Sequence, residues 1–350
     1  MPRGASPDAA VAVAPRTDAQ KYVAKGAAHV EFPPGTPPLS VTFVLLPKFT
    51  MLAFSSAIEP LRMANQLTQQ VLFRWQVLSD DGAPVPCSNG VPVIVDAAWA
   101  DAKPEGIVLV CSGVEPEGKA SQALGDWLRS LWRRGRTVGG LCTGAYALAR
   151  AGILQGHRFT LHWDNIAGFV ENHPDLVPAR QVFCIDDRVM TCAGGIAAAD
   201  MMLNLINDRF GATLSQEVMN MCLLTQRREE ADHQITSLAA RLGTRHDKLL
   251  QAAAYIEAHI EDDFNLDACA AHLSLSRRQI ERLFARYLGL SPVRYMNDLR
   301  LARGRALLAE TDMNVTEVAV ACGYASTSHF SKSFRAKYGT SPYRFSHFGS

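Results

Sequence analysis

No apolar run in this chain approaches the roughly 18–20 residues that a bilayer crossing needs. The longest, such as Val41–Pro47 and Ile107–Cys111, are short enough to be single strands, so no membrane span and no membrane partner are expected. The opening residues MPRGASPDAAVAVAPR hold no continuous apolar stretch, because Pro, Asp and Arg break it up. A secretory signal is therefore not expected, and a cytoplasmic location is. Cysteine is present but never in a ligand pattern: of eight cysteines the closest two are Cys184 and Cys192, and no CxxC or Cys/His spacing occurs. That excludes a zinc knuckle and a disulfide scaffold, and calls for no metal and no cofactor. Net charge is nearly absent as well, at +1. What is present is 350 residues that are 48% hydrophobic and 20% charged, enough apolar material for two packed domains and too much for a disordered chain.

The small net charge hides a segregation. Residues 276–308 carry eight arginines against Glu281 and Asp298, a net of +6, and residues 325–350 carry Lys332, Arg335, Lys337 and Arg344 with no acid, a net of +4. Two cationic stretches in a chain of net +1 leave −9 for the remainder. Such patches are the footprint expected for a polyanionic partner, although arginines on a helix also serve simply as a solvated face.

Residues 1–38, rich in Ala, Pro and Gly with PPGTPP at 33–38, read as a disordered tail without a packed core. From residue 39 to 211 short β-branched runs alternate with helical patterns. Strands are expected at Val41–Leu46, Phe73–Leu78, Ile107–Cys111, Thr137–Leu141, Gln181–Ile185 and Val189–Cys192. Helices are expected at Ser56–Gln66, Ser121–Arg134, Ala145–Ala151, Asn165–Glu171 and Ala197–Phe210. That alternation means an α/β doubly wound domain with a mostly parallel sheet. Residues 212–247 read as a helical linker, and residues 248–350 as an all-α domain.

The all-α domain repeats itself. An offset of 50 pairs Ser276 with Ser326, Ile280 with Phe330, Phe284 with Phe334, Gly289 with Gly339, and Ser291–Pro292 with Ser341–Pro342. In each copy an Asn cap (Asn265, Asn314) opens a short helix, a tight turn follows, and a second helix begins. This is helix-turn-helix patterning, in which the second helix would enter a major groove. Helical periodicity turns Ile280, Leu283, Phe284 and Tyr287 inward in the first copy, leaving Ser276, Arg277, Arg278, Gln279, Arg282 and Arg286 to face DNA. In the second copy Phe330, Phe334 and Tyr338 turn inward and Thr327, Ser328, His329, Lys332, Arg335 and Lys337 face out. Arg and Gln suit base edges, and Lys suits phosphate. Gln279 has a second reading as the partner of Ser276 in a capping box, and His329 as an ordinary surface histidine. The helix that starts at Ser291–Pro292 and runs to about Leu308 spans about 25 Å and would hold the two units apart.

The stretch VAVACGYASTSHFSKSFRAKYGTSPYRF at 318–345 resembles the C-terminal signature of the AraC/XylS regulators. The resemblance spans about the last hundred residues and implies DNA binding through both units, usually as a dimer on paired sites.

In the first domain Gly140-Leu141-Cys142-Thr143-Gly144 joins an expected strand to an expected helix, which is a nucleophile elbow with Cys in the Ser position. A helix N-terminus lowers a thiol's pKa, so Cys142 is expected to be exposed and activated. Residues 39–211 resemble the DJ-1/PfpI domain of the class I glutamine-amidotransferase-like fold. Its hydrolytic members place His directly after the elbow Cys and an acid early in the first helix; Thr143 and Ala53 stand at those positions here, with Glu59 as a substitute acid. The absences point to a binding pocket on a catalytic scaffold, and Glu59 keeps a cysteine-dependent hydrolase as the alternative.

Together the halves resemble the GlxA-type regulators, a DJ-1-like sensor fused to an AraC-type reader, and PKFTMLAFSSAIEPLRMANQL at 47–67 with LHW at 161–163 resembles the regulators of glycine betaine and carnitine catabolism. The resemblance implies an activator of a catabolic operon with DNA, a small-molecule inducer, a second copy of the chain and RNA polymerase as partners. A quaternary ammonium donates no hydrogen bond, so Phe49, Phe54, Trp163 and Glu59 would hold it by aromatic faces and charge. Its carboxylate would sit on backbone N–H groups at Cys142 and Thr143 or at Ser112–Gly113, with His162 nearby. For the three aromatic residues, ordinary core packing is the competing reading.

Overall fold

The computed structural model describes residues 18–234, 238–262 and 265–347. The first domain opens with α1 (Asp18–Tyr22) and alternates β1 (Leu39–Leu45), α2 (Met51–Thr68) and β2 (Phe73–Ser79). Three two-residue strands follow, β3 (Val85–Pro86), β4 (Pro92–Val93) and β5 (Ala97–Ala98), then β6 (Ile107–Cys111), α3 (Gln122–Arg133), β7 (Thr137–Leu141), α4 (Ala145–Arg150) and α5 (Ile166–Asn172). It closes with β8 (Phe183–Asp186), β9 (Val189–Cys192), α6 (Ala197–Phe210) and α7 (Ala212–Met221). The main sheet has seven strands in the order β5-β2-β1-β6-β7-β9-β8, and every pairing is parallel except β8 with β9.

A parallel sheet is covered on both faces, and its residue alternation shows how. On β1, Val41, Phe43 and Leu45 join one core with α2, α6 and α7, while Val44 joins the opposite core with α3 and α4. On β6, Ile107 and Leu109 take the first side and Val108 and Val110 the second. The chain adds β2 on one side of β1 and later β6 on the other, so the strand order reverses between β1 and β6 while the strands stay parallel. Crevices in such folds open at the carboxyl ends of the strands beside this reversal.

Two expectations are corrected. Residues 18–38 are packed rather than a bare tail, while residues 1–17 of that expected tail lie outside the described residues. Tyr22 is buried and donates to the Trp75 carbonyl at 3.0 Å, the Val30 amide donates to Leu67 at 2.8 Å, and Phe32 meets Phe210 edge-on at 5.9 Å. Three apolar side chains scattered through a Pro-rich stretch suffice to anchor it, which composition averages away. The linker is likewise not continuously helical. After α7 the backbone from 222 to 234 runs irregularly back along the sheet, with the Val182 amide donating to Asp232 and the Gln234 amide to Arg180. The charged run at 227–233 therefore belongs to the first domain.

The second domain comprises α8 (Leu238–Arg241), α9 (Asp247–Ala258), α10 (Leu266–His272), α11 (Arg277–Leu288), α12 (Pro292–Glu310), α13 (Val315–Ala321), α14 (Thr327–Tyr338) and α15 (Pro342–His347). It has two cores. Ile280 and Phe284 of α11 pack with α9, α10 and the start of α12, and Phe330 and Phe334 of α14 pack with α13 and the end of α12. Ser276 caps α11 and Ser326 caps α14 through their hydroxyls, each helix ending at a left-handed glycine, Gly289 or Gly339. At 19 residues α12 is about 28 Å long and is shared by both units.

Candidate sensor pocket and DNA-reading faces

The elbow forms as the spacing predicts, with Cys142 at φ 59°, a left-handed conformation that costs a non-glycine residue of order 1–3 kcal/mol. The glycines flanking it permit the close turn: a Cβ at Gly140 would lie 2.6 Å from the Gly144 carbonyl carbon, and one at Gly144 would lie 2.2 Å from the Val110 oxygen. The thiol is neither exposed nor activated. Cys142 is only 6% exposed, and burial pushes its pKa up, against hydrogen bonds from the Thr50 hydroxyl and the Thr143 amide that pull it down. A helix N-terminus acts through the nearby amides, and here desolvation outweighs them. Thr50, just before α2, donates its hydroxyl to the thiol at 3.5 Å, so the group on the sulfur is a neutral hydroxyl and not a carboxylate. Glu59 does not substitute, since its carboxylate is taken by Arg62 at 2.7 Å, and Ala53 is buried.

The backbone donors expected for a ligand's carboxylate are also largely engaged. The Cys142 amide donates to the Cys192 carbonyl at 3.1 Å, Thr143 is fully buried with its hydroxyl on the Gly113 carbonyl at 2.7 Å, and Ser112 is buried. Phe49 and Phe54 stand edge-on to each other at 5.8 Å inside the core, 0% and 8% exposed, which removes them as walls of an open site. Their apolar spacing suits core and ligand cage equally, and burial decides for the core.

An open cavity of about 500 Å³ lies next to the elbow. His162 and Trp163 form one wall, Ala193 to Ala197 another, and Asp200, Arg228 and Gln226 part of the rest. Cys142 sits directly beneath Gly194, where a Cβ would lie 3.0 Å from the sulfur, so the elbow underlies the cavity. Trp163 is half exposed and its ring is 5.5 Å from that of His162. Burial lowers the pKa of His162, with Asp164 opposing, and its Nδ1 accepts the Asp164 amide at 3.3 Å. Both the burial and that contact favour the neutral ring over the charged one. Asp200 on α6 is buried and bound by Arg228, whose Nε lies 2.8 Å and whose Nη2 lies 2.6 Å from one carboxylate oxygen while its backbone amide reaches the other at 3.0 Å. Of the nine expected ligand residues, then, only His162 and Trp163 line this cavity. Thr50, Asp200 and Arg228 went unread, because they lie far apart in sequence and match no motif.

The reading faces are more selective than the charge count. On α11, Arg278, Arg282 and Arg286 are exposed, with Arg286 over the Tyr287 ring at 5.5 Å. Arg277 pairs with Glu281 at 3.1 Å, and the Gln279 side-chain oxygen accepts from the Ser276 amide at 2.7 Å, so Gln279 serves the capping box. Tyr287, expected to turn inward, is instead 38% exposed and meets the His246 ring at 5.0 Å near the end of α11. On α14, Ser328, His329, Lys332 and Arg335 are exposed, Thr327 is half-buried, and Lys337 pairs with Asp298 at 2.6 Å. Arg300, counted among the cations, is buried and donates to the Ile260 carbonyl at 2.8 Å.

Comparison with known proteins agrees with this architecture. Residues 40–208 match the DJ-1/PfpI family and residues 269–347 match a helix-turn-helix domain. The chain is 42% identical to the HTH-type transcriptional regulator GbdR of Pseudomonas aeruginosa over 316 residues, 89% of this chain and 86% of that one. The chain belongs to the GlxA-type transcriptional regulators. The regulator GlxA of Rhizobium meliloti is 34% identical across 86% of this chain and 94% of its own. The regulator CdhR of Pseudomonas aeruginosa is 42% identical across 86% of this chain and 89% of its own. A GlxA-type chain thus carries its DJ-1/PfpI domain ahead of a DNA-binding domain, as the resemblance implied. Among the described residues no helix is long and apolar enough to cross a membrane, and no cluster of His, Cys, Asp and Glu could hold a metal ion.

Proposed function

We propose that this regulator binds a small amine or quaternary ammonium metabolite, such as glycine betaine or carnitine, in the cavity beside the elbow and thereby activates a catabolic operon. The observation that carries this reading is the pairing of an open cavity of about 500 Å³ with two contrasting walls, the half-exposed Trp163 and the Asp200–Arg228 pair. An indole face attracts a methylated ammonium without needing a hydrogen bond. Arg228 keeps guanidinium N–H groups beyond those on Asp200, so it supports anchoring of a carboxylate better than the Cys142 amide, which is engaged by the Cys192 carbonyl. Arg278, Arg282, Arg286, Lys332 and Arg335 are the side chains that suit DNA, in a homodimer that recruits RNA polymerase.

A thermal-shift screen with glycine betaine, carnitine, sarcosine, choline and arginine tests the sensing reading, since a ligand specific to the folded form raises its melting temperature. Glycine betaine or carnitine should raise it, and Arg228→Ala and Trp163→Ala should each abolish the rise. No rise with any of the five sinks this reading. The hydrolase alternative rests on the strained elbow alone; turnover of a small amide that Cys142→Ala abolishes would establish it, whereas unchanged transcriptional activation by Cys142→Ala with no turnover removes it.

A further inference from the structure

We infer that the turn Trp163–Asn165 is a two-sided coupling element that links the sensor cavity to the helix carrying both DNA readers. On one side His162 and Trp163 line the cavity. The other faces the second domain, where the Asn165 side chain, only 8% exposed, donates to Glu310 Oε1 at 2.7 Å. Glu310 ends α12, and its other oxygen is buried without a hydrogen-bond partner among the described residues. The contact continues onto α5, where the backbone of Gly168 lies so close that a Cβ would sit 2.9 Å from the Glu310 Cβ, and Ala167 packs against the core of the second reader.

Three features make this contact a coupler and not only a seam. The turn is short and internally tied, with the Asn165 amide donating to the His162 carbonyl at 3.0 Å, so a shift of the Trp163 wall carries Asn165 with it. α12 contributes Tyr295 and Met296 to one reader's core and Leu301, Leu307 and Leu308 to the other's, so moving its end reorients both. The unpartnered carboxyl oxygen leaves the docked arrangement short of full satisfaction, and such an arrangement is one that a modest bias can shift. The groups facing Glu310 are Asn165 and Asp164 on the turn and Tyr146 on α4; burial and the Asp164 charge favour its protonated form.

This inference rests on the sensing reading only for the identity of the occupant, and its test needs none. Hydrogen exchange of the full chain is compared among wild type, Trp163→Ala, Ile196→Trp on the opposite cavity wall, and Glu310→Gln. A change at the cavity should alter amide exchange in residues 305–311 by several-fold, and Glu310→Gln should reciprocally alter it in residues 161–165, since coupling is mutual. Changes confined to the altered side, or a uniform rise across the chain, overturn the inference. Glycine betaine provides a separate arm: if it raises the melting temperature but leaves residues 305–311 unmoved, the coupling fails while sensing stands. If it raises nothing while the variants still communicate across the turn, sensing fails and the coupling stands.

Discussion

The two helix-turn-helix units descend from one pattern and are put to different use. Both have an Asn-capped first helix, a Ser-capped second helix and paired buried side chains, Ile280 with Phe284 and Phe330 with Phe334. Their surroundings diverge. The first unit presents Arg278, Arg282 and Arg286 with no ion pair among the described residues, whereas the second borders the DJ-1/PfpI domain through Ala167 of α5 and through Glu310 at the end of α12. Its outward face is also partly committed, with Lys337 on Asp298 and His329 edge-on to Tyr324 at 5.4 Å. A repeat conserves what packs it; what each copy reads, and what reads it, is set by the residues between the apolar positions.

Breaking either core should have the largest effect. Phe284→Ala and Phe334→Ala should each cost about 3–5 kcal/mol, read from urea midpoints, because each leaves a cavity in a small core. The comparison sharpens if Phe334→Ala also speeds exchange in α5 and Phe284→Ala does not.

Next come the free arginines. Arg278→Ala or Arg282→Ala should weaken operator binding by about 1–3 kcal/mol if the residue touches a base, or flatten the salt dependence by about one ion if it touches phosphate. Lys337→Ala should do far less, since that ammonium is already engaged by Asp298 and an exposed pair contributes at most about 1 kcal/mol.

A pH effect separates the units further. In the docked arrangement burial first, and Asp164 second, push the Glu310 carboxyl up to about 8, while Asn165 pulls it down; undocked it returns to the ordinary carboxylate range. Between those values the docked form holds one more proton, so docking of the second unit on the DJ-1/PfpI domain is strongest at acidic pH, weakens as pH rises toward about 8, and is flat above. Small-angle scattering across pH should follow this course, and Glu310→Gln should remove the dependence.

Most of the fold was legible because periodicity reports burial directly. β6, β7, β9 and α6 coincide with their expected residues, Ile107–Cys111, Thr137–Leu141, Val189–Cys192 and Ala197–Phe210. α2 begins at Met51 rather than Ser56, because its first turn carries the buried Ala53 and Phe54 that the pattern merged with the preceding loop. The two-residue strands β3 to β5 are too short for any alternation to appear. The site was less legible. The GxCxG spacing located the elbow, but burial inverted the chemistry expected of its thiol. Asp200 and Arg228 are held together by the return of the chain after α7, a long-range event that leaves no local mark, and Glu310 falls just past the expected end of its helix at about Leu308 and matches no motif.

The most direct test is binding of the purified full chain to genomic fragments against scrambled duplexes of equal length, at moderate salt, with and without glycine betaine. At least one fragment should be preferred, Arg278→Ala and Arg282→Ala should weaken that preference or its salt dependence, and the amine should change the affinity. Equal binding to native and scrambled DNA under both conditions would contradict sequence-specific DNA reading.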